Sequence, residues 1–198
     1  MRSYRVAAPV LAALLVAGCS STEPGTPVAG ETATTGAETT TTTTTTSQPS
    51  STRPKPIDMT AVDVCQLIGA ITFADFAPDG NPIGGESTVF PGSQDCYVNS
   101  LPQNRGLILV AVRDQGTTEY LDGANAEITE TQAAGYPLYV LTLPDPASCF
   151  GALDVNDGQM LFINYGMTQA DTPPVTPQEQ LCAAVPEIAT AALTQLGA

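Results

Sequence analysis

Cysteine is the residue type in this chain with the widest range of chemistry. Five of the 198 residues are cysteine, and the sequence contains no histidine. Thiols can carry a lipid, bind a metal, exchange electrons or form disulfides. A zinc site or a thioredoxin-like redox centre has little support, because there is no Cys-x-x-Cys pair and no histidine ligand. An anchor and structural disulfides are the chemistries that remain.

Cys19 follows a segment with the three parts of an export signal. Two arginines precede an apolar run over residues 6–17, and Val16-Ala17-Gly18 places small residues before the cysteine. The run is shorter than the roughly 20 residues that cross a bilayer, so residues 1–18 indicate a signal peptide. The ending resembles a bacterial lipobox, which implies a diacylglyceryl group and palmitate on Cys19. The alternative is an ordinary cleaved signal peptide and a free thiol.

Four cysteines remain for a folded domain. An even number in an exported chain implies two disulfides, and four cysteines allow three pairings. We expect Cys65–Cys96 and Cys149–Cys182, because each would join a terminal helix to the strand region nearest in sequence. Each closes a loop of about 32 residues, which contributes roughly 3–4 kcal/mol in the chain-entropy model.

The other residue types give little support for catalysis. No Gly-x-Ser-x-Gly elbow, P-loop or dinucleotide fingerprint occurs. Ser87 and Ser93 lie in a Gly-rich stretch and are interpreted as loop residues. Asp154-x-Asn156-Asp157-Gly158 faintly resembles a calcium loop but lacks its central glycine and closing glutamate, so a hairpin turn is expected. We expect no catalytic residue, no metal and no cofactor.

The charge of the chain is concentrated in its C-terminal part. Residues 57–198 contain 17 acidic and two basic residues, a net charge of −15. This field excludes nucleic acid as a partner and favours neutral or cationic ligands, or simply keeps the protein in solution. The two basic residues, Arg105 and Arg113, would pair with carboxylates or bind an anion. Five tyrosines would line an apolar pocket or pack in the core: Tyr97, Tyr120, Tyr136, Tyr139 and Tyr165.

Residues 19–56 have the composition of a linker. Residues 20–56 contain 14 threonines, eight of them consecutive from Thr39 to Thr46, and few apolar side chains. Such a segment buries too little apolar area to offset its conformational entropy, so we expect a disordered tether. Glycosylation of its threonines is an alternative to a plain spacer. A single domain then covers residues 57–198.

Periodicity predicts the elements of that domain. A capping box at Thr60 opens a short helix through Gly69, a loop covers residues 78–92, and a helix covers residues 117–129. The unbroken apolar run from Leu107 to Val112 is typical of a central strand covered on both faces. The predicted strands are residues 95–101, 106–113, 136–143, 150–155 and 159–165.

The last helix has a well-marked start. Thr176 acts as the cap, Pro177 takes the first position, and Glu179 completes a capping box. Pro186 should kink or split the helix. The order of helices and strands predicts an α+β domain, with a mainly antiparallel sheet and packed helices.

The cysteine pattern resembles a known family. Asp63-Val64-Cys65-x-Leu67 is followed by Thr72-x-x-Asp75, by Gly92 before Cys96, and by two late cysteines. With the lipobox and the Thr-rich segment, this arrangement is similar to a family of small secreted actinobacterial lipoproteins, catalogued as a domain of unknown function. The family often has Trp after the second cysteine, where this chain has Tyr97. The resemblance implies an actinobacterial envelope, two disulfides and no established activity.

We therefore expect a lipid-anchored module on the outer face of the cytoplasmic membrane that is not an enzyme. It would bind a small apolar or cationic ligand, or an envelope protein. One alternative is a carboxylate-dependent hydrolase of the cell envelope. The other is a structural coat protein without a specific ligand.

Overall fold

This computed structural model describes residues 52–73 and 76–198 of the chain. They contain seven strands and three α-helices. The strands are β1 (Ile83–Glu86), β2 (Gln94–Ser100), β3 (Arg105–Val112), β4 (Glu127–Ala133), β5 (Tyr136–Thr142), β6 (Ser148–Asn156) and β7 (Gln159–Met167). The helices are α1 (Val64–Ala70), α2 (Thr117–Asp122) and α3 (Gln178–Gln195). The predicted α+β class is confirmed.

All seven strands form one sheet in the order β1-β2-β3-β7-β6-β5-β4, and every neighbouring pair is antiparallel. The β6–β7 hairpin turns at Asp157-Gly158, as predicted, and Gly158 has a φ of 68°. The β4–β5 hairpin turns at Ala134-Gly135, where both residues have a positive φ. Two positive φ values match the twist of the flanking strands.

One face of the sheet is covered by α1 and α3, which we call the helix face. Two disulfides fix these helices: Cys65–Cys96 joins α1 to β2, and Cys149–Cys182 joins β6 to α3. Both Cα–Cα distances are 5.1 Å, within the range that a disulfide spans. The expected pairing is confirmed, and each helix is held on the strands by a covalent bond.

The opposite face, which we call the open face, carries a smaller core. Alternate side chains of β3 point to the two faces: Leu107 and Leu109 pack under the helices, whereas Val110 and Val112 pack on the open face. All four are buried, so the prediction of a strand covered on both sides is confirmed. The open-face core is completed by Phe90, Leu141, Ala152, Met160 and Phe162.

The cap of α1 differs from the prediction. The carboxylate of Asp63 accepts hydrogen bonds from the backbone N–H groups of Cys65 and Gln66, both at 3.0 Å. Thr60 lies instead in a preceding 3-10 turn that Asp58 caps. Aspartate is the stronger capping residue of the two, and Asp63 is in position for the helix that actually forms.

The start and middle of α3 also differ from the prediction. The hydroxyl of Thr176 accepts a hydrogen bond from Arg105 Nε at 3.3 Å, and no side chain caps the helix. The helix continues without interruption through Pro186. Buried Val185 and Ile188 lie on either side of the proline, and their packing offsets one lost backbone hydrogen bond.

Two segments that were predicted as a helix and as a loop contain strands in the structure. The predicted helix over residues 117–129 ends at Asp122, and Ile128 belongs to β4, where it pairs with Leu141. The predicted loop over residues 78–92 contains β1, a short edge strand. All four β1 residues are exposed, so their side chains give no alternating pattern from which a strand could be predicted.

The predicted signal peptide, Cys19 and most of the tether lie outside the described residues, as do Ala74 and Asp75. Within the described part of the predicted tether, Arg53 forms ion pairs with Asp154 and Asp157 next to the β6–β7 turn. None of the described helices has the length and apolarity needed to cross a membrane.

Gly151 gives a test of the contact between β6 and α3. A Cβ atom at this position would lie 2.5 Å from Cγ1 of Val185 and 3.3 Å from Cβ of Ile163. We expect Gly151→Ala to displace α3 and to lower the free energy of unfolding by about 1–3 kcal/mol, measured by urea denaturation of the full chain.

Gly80→Ala is the matched control, because its Cβ would have nothing nearer than 3.8 Å. It should change the free energy of unfolding by no more than about 0.5 kcal/mol. Equal effects of the two substitutions would contradict the close packing of α3 on β6.

Candidate functional site

The two serines considered as nucleophiles shape a loop. Ser87 Oγ accepts hydrogen bonds from the N–H groups of Val89 and Phe90, at 3.3 and 3.2 Å. Ser93 Oγ accepts one from the backbone N–H of Arg113 at 3.2 Å. Both serines are buried. Their hydroxyls therefore fix the conformation of residues 87–93, as predicted for loop residues.

The acidic pair near the β6–β7 turn is held by Arg53. Asp154 and Asp157 both form ion pairs with its guanidinium. Burial raises the pKa of Asp154, and the hydrogen bond and charge of Arg53 oppose that rise. Among the residues that the structure describes, no three or more Cys, Asp or Glu side chains are grouped so that they could hold a metal ion.

The two basic residues of the predicted domain lie at opposite ends of β3, since Arg105 is its first residue and Arg113 follows its last. Arg105 donates hydrogen bonds to the hydroxyls of Tyr165 and Thr176, at 3.2 and 3.3 Å. Arg113 lines a cavity of about 320 Å³ beside α1, together with Asp63. Arg105 thus binds neutral hydroxyls in this structure, where we had expected a carboxylate or an anion.

The five tyrosines lie in three different environments. Tyr136 and Tyr165 are fully buried in the helix-face core, and the ring of Tyr97 lies against Gly106. Tyr120 and Tyr139 are partly buried on the open face. Tyr120 alone of the five lines a large cavity on that face.

This cavity, which we call the Phe90 cleft, has a volume of about 680 Å³. Its floor is formed by Leu141 and Phe150 of β5 and β6, and its walls by the 87–93 loop and by α2 with the segment after it. The volume falls within the usual range of small-molecule sites. The lining residues are Val89, Phe90, Gln115, Glu119, Tyr120, Gly123, Ala124, Asn125, Ala126, Leu141, Leu143, Pro144, Asp145 and Phe150.

The first wall depends on the position of Phe90. Backbone hydrogen bonds from Ser87 N to Ser93 O and from Ser93 N to Phe90 O close the loop, at 2.9 and 3.0 Å. Phe90 is only 5% exposed, whereas its neighbour Val89 is 67% exposed. The loop therefore directs one apolar side chain into the core and leaves the other at the mouth of the cleft.

Four aromatic rings form one cluster under and beside the cleft. Phe162 is the central ring, with its centroid 5.0 Å from Phe90, 5.6 Å from Tyr120 and 5.2 Å from Phe150. Aromatic rings in these arrangements attract one another beyond their buried area and are difficult to displace. Burial raises the pKa of Tyr120 to about 12, so its phenol stays neutral at physiological pH.

The second wall follows from the early end of α2. Gly116, before the helix, packs against Gly158 of the β6–β7 turn, where an added Cβ would lie 3.3 Å from Cα of Gly158. The helix ends at Asp122, and residues 123–126 then line the cleft. A helix continuing to Thr129, as predicted, would have removed β4 from the sheet and changed this wall.

The sequence analysis had selected Tyr120 but none of the three phenylalanines. Phe150 and Phe162 could have been found from strand alternation, because their neighbours Gly151 and Ile163 point to the helix face. Phe90 carries no comparable signal, since its position depends on hydrogen bonds of the loop.

A model of one protein family, described as a protein of unknown function (DUF3558), matches residues 14–195 of this chain. A search of the curated proteins and a search of the solved structures found no match to this chain.

Proposed function

Because the chain belongs to the DUF3558 family of proteins of unknown function, we propose a function from its own chemistry: a lipid-anchored, extracytoplasmic module that binds a small ligand in the Phe90 cleft. In this proposal the module is an accessory component of an actinobacterial cell envelope and has no catalytic activity. Its ligand has an apolar part that lies on Leu141 and Phe150.

The observation that carries the binding proposal is the cleft itself. An apolar floor on a rigid sheet is bordered by a few polar side chains, Gln115, Glu119 and Asn125 among them. Sites for small molecules have this composition, with an apolar lining for affinity and few polar groups for orientation. The aromatic cluster holds the lining in place before a ligand arrives, which lowers the conformational cost of binding.

Support for an extracytoplasmic location comes from two features. The family match begins at residue 14, so Cys19 and the last residues of the predicted signal peptide fall within it. The disulfides Cys65–Cys96 and Cys149–Cys182 are of a kind that persists in oxidising compartments outside the cytoplasm. Diacyl and further acyl chains on Cys19 would hold the module on the membrane.

Support for a non-catalytic role comes from the polar groups of the cleft. Of the residues that the structure describes, two carboxylates line it, Glu119 and Asp145, and both are exposed to water. A carboxylate-dependent hydrolase needs one of its acids in a low-dielectric setting that keeps it protonated near neutral pH. The cleft does not offer this setting to either residue, so binding is the better supported function.

Metabolic labelling tests the proposed anchor. The full chain, expressed in an actinobacterium that is fed an alkyne-tagged palmitate, should carry the tag and fractionate with membranes. Cys19→Ser should abolish the label, whereas Ser20→Ala, next to it, should keep the label. A wild-type chain without label, or a labelled Cys19→Ser variant, would contradict the anchor.

Ligand capture tests the proposed binding function. The full chain is reconstituted in nanodiscs, incubated with an extract of an actinobacterial envelope and analysed by native mass spectrometry. We expect one additional mass of defined stoichiometry. Ala124→Trp should fill the cleft and lower the captured fraction at least about tenfold, because the ligand loses its apolar surface.

Ala183→Trp is the matched control, since Ala183 is exposed on α3 and does not line the cleft. It should capture the ligand as the wild type does. A chain that captures nothing would refute the proposal and favour a structural coat role. If the Ala124→Trp variant captured the ligand as well as the wild type does, the ligand would bind outside the cleft.

A further inference from the structure

We infer that the ligand of the Phe90 cleft is a cationic amphiphile whose positive group occupies a second, acidic compartment beside the cleft. This inference rests on the proposed function, because it assumes that the cleft binds a ligand. It adds the chemical class of that ligand and the end of the site at which its charge lies.

The second compartment is smaller and more polar. Its volume is about 230 Å³, and it shares Val89, Phe90, Gln115 and Glu119 with the cleft. The two spaces therefore meet along the 87–93 loop and the first turn of α2. The residues that line only the smaller compartment are Pro91, Ser93, Val112 and Asp114.

Each of the two spaces is lined by two carboxylates, one of them the shared Glu119, so the spaces differ in charge per volume. The smaller compartment has two carboxylates, Asp114 and Glu119, for about a third of the volume. The larger one has an apolar floor, and its only other carboxylate, Asp145, lies next to Pro144. A ligand that spans both spaces would be apolar along most of its length and positive at one end.

No basic residue lines either space within the part of the chain that the structure describes. Arg113 precedes Asp114 in sequence, but it lines the separate cavity beside α1. Arg53 forms ion pairs with Asp154 and Asp157, neither of which lines either space. The carboxylates of the smaller compartment are thus available to a positive group on a ligand.

The aromatic rings at the place where the two spaces meet also favour a positive group on the ligand. Phe90 lines both spaces, and the centroid of Tyr120 lies 5.6 Å from that of Phe90. The faces of aromatic rings attract cations, most strongly where water is partly excluded. The net charge of −15 over residues 57–198 repels anions from the whole surface. Together these features favour a cation over an anion or a neutral molecule of equal size.

Three matched probes test the inference. They are 4-phenylbutylammonium, 4-phenylbutan-1-ol and 4-phenylbutanoate, which share one apolar body and differ in charge. Binding to the full chain in phosphatidylcholine nanodiscs is measured by saturation-transfer NMR, with empty nanodiscs as the reference for partition into lipid. The dissociation constants of the three probes are then compared at one ionic strength.

The ammonium should bind about two- to fivefold more tightly than the alcohol, as expected for an exposed ion pair, and the carboxylate should bind most weakly. The double variant Asp114→Asn/Glu119→Gln should abolish the preference for the ammonium, so that its dissociation constant becomes equal to that of the alcohol. Asp145→Asn is the matched control and should retain the preference.

Equal affinities for the ammonium and the alcohol would overturn the inference about charge and leave the cleft as a binding site. A preference lost in Asp145→Asn and kept in the double variant would overturn the assignment to the smaller compartment. Failure of the proposed function looks different: neither the ammonium nor the alcohol would bind, or Ala124→Trp would leave both affinities unchanged.

Discussion

The attachment of α1 and α3 to one face of the sheet is the constraint on which the rest of the structure depends. A seven-stranded sheet has two sides to cover, and both disulfides hold helices on the same side. Among residues 52–73 and 76–198, the other side is covered by the six-residue α2 with the segment after it and by the 87–93 loop. Tyr139 of β5 and Phe150 of β6 therefore remain partly exposed there, and the Phe90 cleft lies over Phe150.

The small cover on the open face is held by local interactions. Ser87 and Ser93 fix the loop that places Phe90 on Phe162, and Gly116 lets the start of α2 approach the β6–β7 turn. The two walls are separate pieces of chain with a space between them. A disulfide-stapled core on one side thus gives a rigid base to the cleft on the other, where the proposed ligand would lie.

The fold class, the disulfide pairing and the β6–β7 hairpin were predictable because each depends on residues close in sequence or on a simple pattern. The length of α2 was not, because Ile128 fits a helical stripe and also a strand, and its pairing with Leu141 of β5 decides between them. The role of Thr176 was not predictable either, because its hydroxyl accepts a hydrogen bond from Arg105, a residue distant in sequence. The cleft could not be predicted, since its walls and floor meet only through the sheet order.

Hydrogen–deuterium exchange of the full chain, with and without an actinobacterial envelope extract, tests directly whether a ligand binds to the open face. If the open face is the binding face, amides of residues 87–93 and 117–126 should exchange more slowly in the presence of the extract. Those of residues 188–195 of α3 should be unchanged, because this part of the helix is packed on the helix face. The first turn of α3 is left out of this comparison, since Gln178 donates hydrogen bonds to the carbonyl groups of Leu143 and Asp145, which line the cleft. Protection confined to α3, or no protection at all, would contradict the account.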